Sequence, residues 1–220
     1  MISRRSFLQR MCGWLPAGML AGPFCVFLSK GFAAAERTLL KAGTPLASLI
    51  HRNPRDLDTR NLALEKLADF QTMGLTDYTF DMHRWRLEVV GRVARPLKIG
   101  YAELMSLPPV ERKVLMICPG VFANYGRWKG ISVGDLLRRS RASHRVTHVD
   151  FSGPPGPYAK TERFAADEIR SGRVFLAYAV NGTPLPRKHG YPLRVVAADH
   201  YGFQWVKYVE RIACQVIDAQ

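Results

Sequence analysis

The chain has 220 residues, enough apolar and aromatic side chains for one well-buried domain and too few for two. Its 47% hydrophobic and 23% charged content is that of an ordinary globular protein, and excludes a disordered or collagen-like chain. The formal charge of +14 raises nucleic acid or a membrane surface as partners. The basic residues are nonetheless scattered, their densest run "RRSRASHR" (Arg138 to Arg145) reads as a solvated helix end, and no nucleic-acid motif with interleaved aromatics is present.

Residues 1–35 read as a segment apart from the fold. Arg4 and Arg5 precede Phe7 and Leu8, a weakly apolar run follows from Met11 to Leu28, and "GFAAAE" offers a small-residue cleavage site after Ala35. Twin arginines before such a run predict a Tat export signal, and so a periplasmic protein handled by the Tat translocase. A membrane anchor is the competing reading; Gly13, Pro16, Gly18, Gly22 and Pro23 interrupt it. Removal of this segment takes Cys12 and Cys25 with it and leaves a charge of +10. Tat export carries folded proteins, which is in itself a hint of a cofactor inserted before export.

Residues 36–84 predict a helical or irregular segment packed on the domain, with "LALEKLADF" (Leu62 to Phe70) apolar at helical spacing. The main domain is expected over residues 85–220. "WRLEVVG" (Trp85 to Gly91) alternates as a half-buried strand does, and a short helix follows at Tyr101 to Ser106. "ERKVLMIC" (Glu111 to Cys118) is a strand with a continuous apolar core, after which Pro119 and Gly120 predict a loop through Arg127. Ser132 is placed to cap a short helix to Ser140. "RVTHVDFSG" predicts a strand, "FAADEIRSG" a helix with a glycine stop, and "VFLAYAVNGTPL" a strand entering an Asn-Gly hairpin turn. "YPLRVVA" and "WVKYVERIACQVI" predict the closing strands. The fold class is α+β, with mixed sheets and short helices.

Two cysteines follow residue 35. Cys214 lies in a strand-like stretch and reads as an inert buried thiol; a Cys118–Cys214 disulfide is the competing reading in an oxidising compartment. Cys118 stands alone at a strand end, without the C-x-x-C or H-x-x-x-H spacing of a protein-built zinc site. One thiolate suffices for a metal that arrives with its own ligands. Downstream, His189, Arg194, Gly202 and Lys207 combine positive charge with glycine-loosened backbone, a combination that suits an anionic group. Taken alone, such residues are as well explained by solvation. A pterin dithiolene ending in a phosphate needs one cysteine and such a pocket.

From about Trp85 to Ile212 the chain resembles the molybdopterin domain of the sulfite oxidase family. The resemblance rests on "WRLEVVGRVARPL", on Cys118 followed by "RWKGISVGDLL", and on "LAYAVNGTPLPRKHGYPLRVVAADHYGFQWVKYVERI". It implies the sulfite-oxidase-like molybdopterin-binding fold, Mo-molybdopterin as cofactor and Cys118 as the metal ligand. It further implies cofactor contacts at His189, Arg194, Gly202, Trp205, Val206 and Lys207, and a looser one at Ser152. The gap of ten residues from Cys118 to Trp128 and the absence of a tyrosine loop and dimerisation domain after the last strand are similar to the catalytic subunit of the periplasmic methionine sulfoxide reductase. That similarity implies oxygen-atom transfer on a small molecule, reduction of an S- or N-oxide more than sulfite oxidation. Asn124, Tyr125 and Arg127 either line the substrate side, with Arg127 positioning an oxyanion or sulfoxide oxygen and Tyr125 beside it, or form a solvent-exposed loop. With no C-x-x-C-H motif for haem, electrons are expected from a membrane haem protein or soluble cytochrome. A compact sulfite-oxidising enzyme and a non-catalytic pterin-binding module are the competing readings. The stretch "MGLTDYTFDMHRW" has no assigned cofactor contact.

Overall fold

The computed structural model describes residues 36–217; the export signal expected over residues 1–35 lies outside them. Two five-stranded sheets carry the core. Their elements are β3 (Arg86–Gly91), β4 (Leu97–Gly100), α1 (Tyr101–Met105), β5 (Pro109–Cys118), β6 (Phe122–Ser132), α2 (Val133–Arg139), β7 (His148–Ser152), β8 (Thr161–Ala165), α3 (Ala166–Arg170), β9 (Val174–Val180), β10 (Thr183–Pro184), β11 (Arg194–Ala197) and β12 (Arg211–Gln215). Before them, β1 (Thr38–Leu39) and β2 (Leu57–Asp58) form a small parallel pair.

One sheet runs β10-β9-β6-β5, with β11 also on β9; the other runs β4-β3-β12-β7-β8. Only β3–β12 is parallel within these two sheets, so the expected mixed α+β architecture is present. The expected hairpin turn forms at Asn181-Gly182, both with positive φ as a two-residue turn of that type requires. Ser132 caps α2, its Oγ accepting from the Asp135 amide at 3.2 Å.

Three expectations need correction. The helical spacing of Leu62 to Phe70 yields only a 3-10 turn at Leu67–Asp69. Leu62 instead joins Leu40, Leu49 and Leu57 in packing against Leu115, Ile117, Ala123 and Tyr125 on one face of β5–β6. Tertiary burial overrides the local period there. The closing stretch is strand only over β12; Trp205 to Glu210 is not in a strand, and turns around the buried Arg194 side chain instead. Most consequentially, the segment after Cys118 is not a loop. Pro119-Gly120 confines the turn to three residues, and β6 then pairs with β5 in register from Cys118↔Phe122 to Pro109↔Ile131.

That register sorts the residues. Side chains directly opposite one another in an antiparallel pair share a face, and neighbours alternate. Met116, Phe122, Asn124 and Trp128 therefore share the face of Cys118, while Ala123, Tyr125 and Arg127 take the other.

Candidate functional site

Strand β5 delivers Cys118 to the wall of a cavity of about 440 Å³. Arg194, Trp205, Lys207, Gly202, Lys160 and the segment Thr72–Leu75 also line it, and among the described residues no Asp or Glu does. The cysteine is a free thiol, as is Cys214, which lies buried on β12 in the other sheet. The competing disulfide is thus absent. Burial pushes the Cys118 thiol up, while Arg194, Lys160 and Lys207 pull it back towards the thiolate.

The cations are set by backbone. Arg194 on β11 and Lys207 face each other across an isolated antiparallel bridge, and the Val195 amide donates to the Val206 carbonyl at 2.9 Å. Like charges directly opposite repel. Burial and this repulsion lower Lys207 to about 8, and burial lowers Arg194 to about 10. None of the ion pairs among the described residues includes either one. Arg194 is 3% exposed, its guanidinium 5.2 and 5.5 Å from the ring centres of Trp128 and Trp205. It donates to the carbonyls of His189 (2.9 Å) and Val195 (3.4 Å) and to the Met116 sulfur (3.5 Å). These three contacts leave one hydrogen on each Nη of a five-donor guanidinium, the fork that binds an oxyanion in two-pronged fashion.

His189 is 1% exposed, and neither ring nitrogen has a partner among the described residues. Burial first, then Arg194 and Lys188, push it down to about 4, so the ring is neutral near pH 7 with one donor and one acceptor nitrogen. Gly190, at φ +110, turns the chain after it; a side chain there would stand 3.0 Å from Arg194 Cβ. An unpaired buried cation, an orphaned buried imidazole and a thiol in a cavity free of carboxylates fit an anionic group that also accepts a sulfur ligand.

Of the residues expected at the site, Cys118, Arg194, Gly202, Trp205 and Lys207 line the cavity together. His189 does not line it but stands beside Arg194, joined through its carbonyl. Val206 contributes backbone to the bridge, with its side chain in the core. Ser152 lies outside the lining, its Oγ 2.9 Å from Thr161 Oγ1. The two other expected catalytic residues are not brought to the cavity. Tyr125 is buried on the opposite face of β6, its hydroxyl donating to the Thr59 carbonyl at 3.1 Å. Arg127 is exposed on that face, 3.4 Å from Glu111. Asn124 is on the thiol's face but is spent on backbone: it accepts from the Gln71 amide (3.1 Å) and donates to the Gln71 carbonyl (2.8 Å). Sequence reasoning missed Thr72–Leu75, Tyr158 and Lys160, whose only local signals are turn chemistry.

Fold and cavity together define a mixed α+β domain with a cation-lined cavity beside a free thiol. The family model for the oxidoreductase molybdopterin binding domain matches residues 74–220, more than half of the sequence, and the chain belongs to that family. Molybdopterin is the cofactor that family membership assigns, and the donor set described above fits it. Among curated relatives, the chain is 30% identical over 151 residues to the protein-methionine-sulfoxide reductase catalytic subunit of Gluconobacter oxydans (strain 621H), covering 61% of this chain and 48% of that protein. The corresponding subunit of Burkholderia mallei (strain ATCC 23344) is 26% identical over 95% of this chain and 68% of its own length. Mitochondrial sulfite oxidase of Mus musculus is 30% identical over 61% of this chain and 30% of that protein. The chain thus spans about half the length of the first of these. The solved structure of the sulfane dehydrogenase SoxCD from Paracoccus pantotrophus superposes with a TM-score of 0.60 at 19% identity, covering 92% of this chain and 56% of that one, a likeness of fold.

Proposed function

We propose that this chain is an exported, periplasmic oxidoreductase that holds Mo-molybdopterin through Cys118 and exchanges an oxygen atom with a small substrate, reducing an S- or N-oxide. The observation that carries this reading is the Cys118 thiol on the wall of a cavity whose charged side chains are cations only. When bound, the group supplies the metal at which oxygen is exchanged and electrons are accepted or given.

The chain's own residues bind, orient and shield. Cys118 gives up its proton on ligation; Arg194, Lys160 and Lys207 stabilise the resulting thiolate against the cost of burial. The free fork of Arg194 would hold the anionic end of the cofactor, and His189, which stands beside Arg194 behind the cavity wall, would support it through its carbonyl. Trp128 and Trp205, packed edge to face at 5.6 Å, bury the guanidinium and hold its position. At the mouth, the exposed side chains of Met73, Leu75 and Phe203 present an apolar rim. Such a rim suits a sulfoxide with apolar substituents better than a hydrated dianion. The activity for which the two reductase relatives are named supports the same choice.

The electron donor proposed with this reading is a separate haem protein, membrane-bound or soluble. Among the described residues no helix is long and apolar enough to cross a membrane. Sulfite oxidation is the second reading, favoured by the absence of carboxylates from the cavity wall.

Metal analysis tests the core of the proposal. Protein from a cofactor-competent host is expected to carry about one molybdenum per chain, and Cys118→Ser to carry none. A protein with no molybdenum favours a binding module, and one that keeps it in the variant overturns Cys118 as the ligand. Assays with methionine sulfoxide and with sulfite, each with an artificial electron carrier, then separate the two enzymatic readings.

A further inference from the structure

Between β11 and the bridge partner Lys207, residues 198–205 carry Gly202 and Trp205 to the cavity wall. Gly202 lies against the Cys118 sulfur with no room for a Cβ, and Trp205 covers the Arg194 guanidinium. Hydrogen bonds within the segment shape its turn. The Gln204 amide donates to the Tyr201 carbonyl at 2.9 Å, and the Trp205 amide to the Gly202 carbonyl at 3.1 Å. Such bonds do not say where the turn sits against the sulfur.

Backbone fixes the two ends. The Ala198 amide donates to the Arg173 carbonyl at 2.9 Å, and Val206 is held by the Val195 amide. Between these ends, Arg37 and Arg55 reach Asp199, and Lys160 reaches the Phe203 carbonyl. All three are exposed side chains, and contacts of that kind contribute little.

His200 differs from them. Its side chain is 8% exposed, and its Nε2 lies 2.8 Å from Oε1 of Glu168 on α3, a side chain that is 14% exposed. A carboxylate offers only acceptors, so Nε2 is the donor. The other carboxylate oxygen accepts from the Ala165 amide at 3.2 Å, which fixes Glu168 in turn. The imidazole packs edge to face on Phe164, ring centres 4.9 Å apart. On the main-chain side, the His200 carbonyl accepts from Trp205 Nε1 at 3.3 Å. One residue thus ties α3 to the indole that covers Arg194, two positions before the glycine at the sulfur. A buried pair adds little net stability, so its effect falls on where the segment sits more than on how firmly the chain folds.

We propose that His200, held by Glu168, is a positioning residue of the cofactor site: it fixes the wall segment so that Gly202 backs the Cys118 sulfur and Trp205 backs the Arg194 guanidinium. That the sulfur ligates molybdenum rests on the function proposed above; the placement of the segment does not.

Alkylation of the cofactor-free chain with iodoacetamide, followed at each cysteine by peptide mapping, reads the placement. Cys118 and Cys214 are both buried free thiols; Cys118 lies against this segment and Cys214 lies on β12. His200→Leu fills the space and breaks the pair. Cys118 is expected to react on the order of tenfold faster, with Cys214 unchanged. His200→Gln, whose carboxamide nitrogen reaches Glu168 as Nε2 does, is expected to return Cys118 to within about twofold of the parent. An unchanged Cys118 rate in His200→Leu overturns the proposal. So does a parallel rise at Cys214, which marks general loosening, and so does a Gln variant as fast as the Leu one. Should His200→Leu not fold, Glu168→Ala decides in the same way. Molybdenum content of loaded protein gives the second readout and is expected to fall several-fold in His200→Leu. Full content despite faster alkylation overturns the part of the pair in the cofactor site. A parent protein without molybdenum overturns the proposed function instead, and leaves alkylation to decide the placement.

Discussion

Gly202 stands so close to Cys118 that a Cβ on it would lie 2.8 Å from the thiol sulfur and 2.8 Å from Met116 Cγ. The glycine is therefore part of what gives the sulfur its position, although it carries no chemistry. Gly202→Ala is expected to push the sulfur out of line and to cost about 1–3 kcal/mol of stability by overpacking. Molybdenum content after expression in a cofactor-competent host should fall at least several-fold. Full occupancy with unchanged stability would show that the contact is easily relieved.

Arg194 is a buried cation without an anionic partner, so stability and cofactor binding should respond to it in opposite directions. Arg194→Met fills much of the same space and removes a charge that is costly to bury. Urea unfolding of the cofactor-free protein is expected to show equal stability or a gain of about 1 kcal/mol. The same variant should lose its pterin on gel filtration. Arg194→Lys should fail as well, because a point charge cannot supply the two-pronged fork.

His189 makes the cofactor-free fold sensitive to acid. Its folded value of about 4 lies below the ordinary 6.5, so between these values the unfolded chain binds a proton that the native ring refuses. Its contribution is complete above about pH 6.5 and is lost as pH falls towards 4, at about 1.4 kcal/mol per pH unit. Unfolding measured at several pH values should show this slope in the parent and not in His189→Gln. Parallel curves would mean that the ring is not held neutral by burial.

Arg127 points away from the cavity, on the face of β6 opposite the thiol, and its partner is the half-exposed Glu111. Arg127→Ala is expected to change stability by less than about 0.5 kcal/mol. Molybdenum content should stay at the parental level. A large loss of metal would require the hairpin to pair in another register.

The hairpin also shows where reading the sequence reached its limit. "PG" correctly marked a turn after Cys118, but a turn signal does not say how short the turn is. A loop carrying Asn124, Tyr125 and Arg127 and an eleven-residue strand carrying them are both compatible with the same letters. Only pairing with β5 decides between them, and pairing then decides by alternation that Asn124 shares the sulfur's face and Tyr125 does not. The segment Thr72–Leu75 posed a similar problem. "TMGL" has no periodicity, and its place in the cavity wall depends on side chains more than fifty residues away in the chain.

By itself the sequence determined the chemistry on offer: one thiol at a strand end, a downstream block of cations and glycines, and an apolar pattern that builds sheets. These are local properties, written in residue types and short spacings. The tertiary structure alone decided which of them meet. The bridge between Arg194 and Lys207, the close approach of Gly202 to Cys118 and the grip of Asn124 on Gln71 join residues from different parts of the chain. The burial that leaves Arg194 unpaired and His189 neutral likewise arises only when Met116, Trp128, Trp205 and Phe70 pack against them.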